Sequence, residues 1–150
     1  MDSFTILVVD DEVDFLETIL KRLQKRKIDA KGVLSGEEAV ELAKTTAFDV
    51  VILDVKMHGG MDGIETLREI KKIQPLTEVL LLTGHAAAET SIEGMKMGAF
   101  DYLLKPIKLE ELFVKIGHAL KKKSSKNHKI RKTINKDLKG FSGNKFHQKK

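Results

Sequence analysis

No cysteine occurs in this chain, which excludes disulfides and thiolate metal sites and agrees with a reducing compartment. No apolar stretch approaches the roughly 18 residues that a membrane-spanning helix needs. The opening segment MDSFTILVVDD has an acid at position 2 and no basic residue ahead of its apolar run, which is unlike a secretory signal. A cytoplasmic protein with no transmembrane segment is therefore expected. Acid is nearly missing from the last thirty residues: 121–150 carry 12 Lys and Arg against the single Asp137, a net of +11, and leave 1–120 with a net of −6. Those thirty residues also lack a sustained apolar period and are rich in Lys, Ser, Asn and Gly. The chain reads as an acidic domain over 1–122 followed by a basic tail, 123–150, expected to be mostly disordered.

What remains is enough for one core. Of the 150 residues, 41% are hydrophobic and 33% charged, the profile of a single folded domain. Short β-rich runs, FTILVV (4–9), IDAKGVL (28–34), DVVIL (49–53), EVLLLT (78–83) and DYLLK (101–105), alternate with segments of helical period over 13–26, 36–45, 64–73, 87–97 and 109–121. Alternating strands and helices predict a parallel sheet built of βα units. Strands one, three and four are almost continuously apolar, as strands covered on both faces must be, whereas Asp29 and Lys31 suit the second to an edge. The expected fold is a doubly wound five-stranded α/β sheet of order 2-1-3-4-5. Ser35 is positioned as a helix cap, and Pro75 and Gly98 as stops, without any further role.

In such a sheet, ligands bind beyond the carboxyl ends of the strands, where the strand order reverses. Asp10 and Asp11 follow strand one, Asp54 ends strand three, Thr83 ends strand four and Lys105 ends strand five. Two carboxylates about 5 Å apart repel by roughly 3 kcal/mol at an effective dielectric near 20, so three together demand positive charge. Lys105 supplies one charge, and a divalent cation with oxygen ligands, best Mg²⁺, supplies two. With that charge neutralised, an Asp carboxylate can act as a nucleophile toward phosphorus, with Thr83 and Lys105 contacting phosphoryl oxygens.

In order and spacing, VVDDE, LDVKM with MDG downstream, LLTG and GAFDYLLKP resemble the signatures of the receiver domain of two-component response regulators, over roughly residues 4–120. The resemblance implies a flavodoxin-like (βα)5 fold and makes Asp54 the phosphoacceptor. It implies Mg²⁺ bound by Asp11, Asp54 and the Lys56 carbonyl, with Asp10 helping through water. It also implies Thr83 and Lys105 as phosphoryl contacts, Pro106 as the cis peptide partner of Lys105, and Tyr102 as an aromatic that changes rotamer with Thr83. The implied partners are a histidine kinase or phosphotransfer protein, and a downstream protein on the face made by the fourth helix, fifth strand and fifth helix. One feature of the pattern is missing. Receivers usually carry D-x-x-M-P-x-x-D-G, but here Met57 is followed by His58, Gly59, Gly60 and Met61 before Asp62 and Gly63, so the proline is absent and one residue is added. The extra glycine suggests a more mobile loop and leaves the start of the third helix open.

Three other readings are weighed beside this one. A phosphohydrolase of haloacid dehalogenase type also uses an Asp nucleophile and Mg²⁺, but it wants an acid two residues after the nucleophile, where Lys56 stands. A nucleotide or flavin binder would need glycine in the first βα turn, and VDDEVD has none. His58 and His85 lack metal-site spacing, and His85 reads either as an exposed loop residue or as a group tuning phosphoryl lifetime. The tail is too short for an ordinary sequence-specific DNA-binding domain. It reads as solvated, as a dock for an acidic partner or membrane surface, or as a nonspecific nucleic-acid contact. Ile130, Ile134, Leu138 and Phe141 would form a narrow apolar stripe on it if it were helical.

Overall fold

The apolar runs become five parallel strands, β1 (Thr5–Val9), β2 (Asp29–Val33), β3 (Val50–Asp54), β4 (Glu78–Thr83) and β5 (Asp101–Leu104). The computed structural model describes the backbone of residues 4–84 and 88–142, and the side chains of 4–84 and 89–126. Five helices alternate with the strands: α1 (Val13–Lys25), α2 (Gly36–Ala43), α3 (Gly63–Ile73), α4 (Ala88–Lys96) and α5 (Leu109–Ser142). The sheet order is β2-β1-β3-β4-β5, as the alternation of strands and helices predicts, and the fold is the flavodoxin-like (βα)5 one. Among the described residues no helix is long and apolar enough to cross a membrane.

Strand residues alternate between two covered faces, which explains the unbroken apolar runs. Leu7, Val9, Val51, Leu53 and Leu81 pack toward α2 and α3, with Ala39, Leu67 and Ile70. Ile6, Val8, Ile52, Leu80 and Leu82 pack toward α1 and α5, with Leu16, Ile19 and Leu112. Each fully buried Leu or Ile contributes roughly 1.5–3 kcal/mol, so the central strands hold their register firmly.

Local signals fix the helix starts. The Ser35 hydroxyl accepts the Glu38 N–H at 3.1 Å. The third helix starts at Gly63 in a capping box: Asp62 accepts the Glu65 N–H at 2.9 Å and Glu65 accepts the Asp62 N–H at 3.0 Å. Gly63 is required by packing, because a Cβ there would lie 2.5 Å from the Asp54 carbonyl oxygen. The MDG run thus seats α3 directly against the end of β3.

The fifth helix departs from expectation. It continues through Lys121 to Ser142, so residues 123–142, expected to be disordered, are helical; residues 143–150 lie outside the described residues. The first turns of the extension are tied to the amino-terminal edge of the sheet. Lys123 Nζ donates to Asp49 Oδ1 at 3.0 Å, and Lys126 Nζ lies 2.7 Å from Glu78 Oε2. Glu78 is only 1% exposed, and a carboxylate so buried needs a cation beside it. The lysines that resemble a solvated charge run in the sequence therefore have acids to meet, and lysine is itself a good helix former.

Candidate functional site

Strand register assembles the acidic site. Val9 pairs with Leu53, so the residues that follow, Asp10 and Asp54, stand side by side at the carboxyl edge. Thr83 pairs with Leu104, which brings Lys105 to the same edge from the far side. The Asp10, Asp11 and Asp54 carboxylates each offer an oxygen, and these oxygens all lie within 4.8 Å of one another. Asp10 is fully buried and Asp54 is 4% exposed.

Lys105 is the positive centre of the cluster. Its Nζ lies 2.9 Å from Asp10 Oδ2, 3.2 Å from Glu12 Oε1 and 3.7 Å from Asp54 Oδ1, and it sits 4.6 Å from the centre of the Phe15 ring. Burial opposes its charge, but the Asp10 hydrogen bond and the neighbouring acids outweigh burial and raise its pKa. The Lys105–Pro106 peptide is cis, and the Lys105 N–H donates to the Thr83 carbonyl at 2.8 Å, which anchors the base of the side chain to β4.

One ammonium does not neutralise three carboxylates. Burial and the charge of Asp10 push the Asp54 carboxyl up to about 6, against the downward pull of Lys105 and of the Lys56 N–H, which donates to Asp54 Oδ1 at 3.3 Å. Asp11 behaves oppositely. His58 donates its backbone N–H to Asp11 Oδ2 at 2.9 Å, with His58 Nδ1 3.2 Å from the same oxygen, and the Asp11 pKa falls. The donor set is all oxygen and is short of positive charge, which fits a hard divalent cation.

Thr83 is 1% exposed, its hydroxyl donating to the Gly84 carbonyl at 3.2 Å, while Tyr102 on β5 is 40% exposed. A cleft of about 660 Å³ runs from Thr83 and Gly84 to Lys56, Asp62 and Glu65, giving an approach to this edge between α3 and α4. The edge therefore brings together Asp10, Asp11, Asp54 and Lys105, with Thr83 at the end of β4 and Tyr102 two residues before the end of β5. His85 lies outside the described residues.

Residues 6–117 match the family model described as the response regulator receiver domain. The chain belongs to the response regulator receiver family. It is 38% identical over 119 residues to the transcriptional regulatory protein ZraR of Escherichia coli K12, covering 79% of this chain and 27% of that protein. The chain thus spans about a quarter of the length of the curated relatives it matches. Among solved structures, the response regulator receiver domain protein from Clostridium thermocellum is similar at 37% identity and TM-score 0.76, covering 81% of this chain and 97% of that one. A CheY-like receiver domain protein from Methanospirillum hungatei is similar at 25% identity and TM-score 0.79, covering 83% and 99%. Receiver domains are signalling modules of two-component systems rather than enzymes in the usual sense.

Within this receiver domain, sequence reasoning gives no part in the acidic site to Glu12, Phe15 or His58. Glu12 is visible in VVDDE as a third acid beside the pair, and Phe15 is one helical turn further on. Spacing tests His58 only as a metal ligand and is silent on it as a hydrogen-bond donor. The loop carrying it is held at both ends, since the Met61 N–H also donates to Glu37 Oε2 at 2.7 Å. Gly59 and Gly60, at φ of +72° and +71°, make the left-handed turn between the two anchors. The added glycine therefore serves a turn tied down at each end, where the sequence suggests a more mobile loop.

Proposed function

We propose that this receiver domain accepts a phosphoryl group on Asp54 from a histidine kinase or phosphotransfer protein. The observation that carries this reading is the convergence of Asp54 with Asp10, Asp11 and Lys105 at one strand edge. Without metal the Asp54 carboxyl, at about 6, is mostly ionised at neutral pH, so it is available as the anion that a nucleophile must be. An Asp54 oxygen attacks phosphorus and forms the P–O bond of an acyl phosphate. The bond from phosphorus to the donor's imidazole nitrogen breaks, and the imidazole keeps the electron pair.

Asp11, Asp54 and the Lys56 carbonyl are the proposed ligands of Mg²⁺, with Asp10 acting through water. When bound, that ion supplies the positive charge that lets phosphoryl oxygens enter an acidic site. Lys105 contributes a fixed ammonium on the β5 side, where it can contact a phosphoryl oxygen, and Thr83 offers a hydroxyl from β4. Movement of Thr83 toward the phosphoryl group would couple to the rotamer of Tyr102, one strand over.

The proposed output is a contact with a downstream protein on the face of α4, β5 and α5. Ile92, Met95, Tyr102, Leu104 and Val114 are all exposed on these three elements. The receiver domain is assigned to 1–122, with 123–150 as a basic extension able to dock an acidic partner, and a cytoplasmic location suits both parts. A phosphohydrolase is disfavoured by Lys56, which occupies the position where an acid/base carboxyl would be needed.

Incubation with Mg²⁺ and acetyl phosphate, followed by intact-mass measurement, tests the reading. One added phosphoryl group is expected on the wild-type chain and none on Asp54→Asn. Equal labelling of the two would move the acceptor elsewhere.

A further inference from the structure

The altered loop after β3 places two donors of one residue on a single oxygen of Asp11. The His58 N–H lies 2.9 Å from Asp11 Oδ2, and Nδ1 lies 3.2 Å from the same atom, a hydrogen bond whenever that nitrogen carries a proton. The receiver pattern usually has proline in this place after the Met, and proline has no N–H to give. The loop can reach because Gly59 and Gly60 turn it back in the left-handed region, and because Glu37 Oε2 accepts the Met61 N–H at 2.7 Å at its other end. The result joins the β3 loop to the β1 loop across 47 residues of sequence.

We propose that His58 is a positioning residue for cation binding, clamping one oxygen of Asp11 so that the other is presented to the ion. The inference rests on the reading of Asp11 as a Mg²⁺ ligand and deepens it. A carboxylate free to rotate must be ordered when it takes up a metal, and a carboxylate already held by donors is not ordered again. The backbone N–H carries most of the clamp, since the imidazole is 84% exposed and meets competing water. His58→Ala keeps the N–H and removes the ring, whereas His58→Pro removes both.

The test is calorimetric titration of the full chain with MgCl₂ alone, with circular dichroism to establish that each variant folds. His58→Pro weakens Mg²⁺ binding about tenfold, the lower end for loss of an outer hydrogen-bond partner of a metal ligand, and His58→Ala weakens it only a few-fold. His58→Pro binding Mg²⁺ as tightly as wild type, or more tightly, overturns the proposal, and tighter binding would mean that the clamp competes with the ion. A second measurement uses no metal. In Mg²⁺-free buffer His58→Pro lowers Tm when Asp11 is present and leaves it unchanged in an Asp11→Ala background; equal effects in both backgrounds overturn the clamp. A wild-type chain that takes up no Mg²⁺ but retains this Asp11-dependent Tm difference would sink the cation-site reading and the proposed role together, and would leave a purely structural contact.

Discussion

Asp10 and Lys105 stand 95 residues apart in sequence and meet at 2.9 Å, the carboxylate fully buried and the lysine side chain 22% exposed. The pair closes the sheet edge from β1 to β5 across β3 and β4, so its loss is structural as well as chemical. Lys105→Met keeps an apolar stem on Phe15 but leaves Asp10 buried beside two further acids. A cost of about 2–4 kcal/mol is expected, because removing one partner strands a desolvated charge. Urea unfolding at pH 7 without Mg²⁺ measures it, and an unchanged midpoint would mean that the Asp10–Lys105 pair adds nothing to stability.

Asp54 predicts a pH dependence of the opposite sign to ordinary acid denaturation. Its folded pKa of about 6 lies above the unfolded value of 3.8, so the native state binds more protons between these limits. Stability from this group is therefore lost as pH rises from about 4 to 6 and stays lost above. Raising the carboxyl from 3.8 to about 6 corresponds to at most about 3 kcal/mol, and screening at the open edge of the site reduces this to about 1–2 kcal/mol. Asp54→Asn should stabilise the metal-free protein by that amount at pH 7 and by little at pH 4. Equal gains at both pH values would show that the effect is not titration.

Asp11 and Asp54 should separate cleanly in stability. Relief of repulsion among three carboxylates suggests from sequence that Asp11→Asn also raises Tm without Mg²⁺. The His58 backbone hydrogen bond, with the imidazole beside it, reverses that expectation, because it favours the charged form of Asp11 and lowers its pKa. Its contribution is present above the unfolded pKa and disappears as pH falls through the folded one. At pH 7 in metal-free buffer, Asp11→Asn should lower Tm slightly while Asp54→Asn raises it, and both should weaken Mg²⁺ binding. A Tm gain for Asp11→Asn would mean that repulsion from Asp10 and Asp54 outweighs the His58 clamp.

The sheet is legible because its strands are buried on both faces, so Val50–Asp54 and Glu78–Thr83 carry their position in composition alone. The acids at the carboxyl edge are legible because register follows from strand order. Asp10 and Asp54 become neighbours once strands one and three are adjacent. Less can be read where a polar residue has a distant partner. Lys123 and Lys126 look solvated until Asp49 and Glu78 are seen at the sheet edge below them, and nothing in the sequence announces that Glu78 is buried. His58 is opaque for the same reason, since its N–H acts on Asp11, far away in the chain.

The extension of α5 carries the last prediction. A tail with few apolar groups should be removable without penalty, and sequence reasoning alone leads to an unchanged melting temperature for a chain ending at Lys122. The ion pairs say otherwise. Cutting after Lys122 removes Lys123 from Asp49 and Lys126 from Glu78, and leaves Glu78 at 1% exposure with Lys71 as its nearby charge. Burial lowers the pKa of Lys71, and its ammonium already donates to the Pro75 and Thr77 carbonyls, so it is a weak substitute. A loss of about 1–3 kcal/mol is expected, or on the order of 3–10 °C in Tm. A chain ending after Lys126 retains both ion pairs and should melt close to the 150-residue chain. Glu78→Gln should recover part of the loss in the shorter chain, because it removes the stranded charge. If the chain ending at Lys122 melts within a degree of the full one, the two pairs add nothing, and residues 123–142 are the detachable segment that composition suggests.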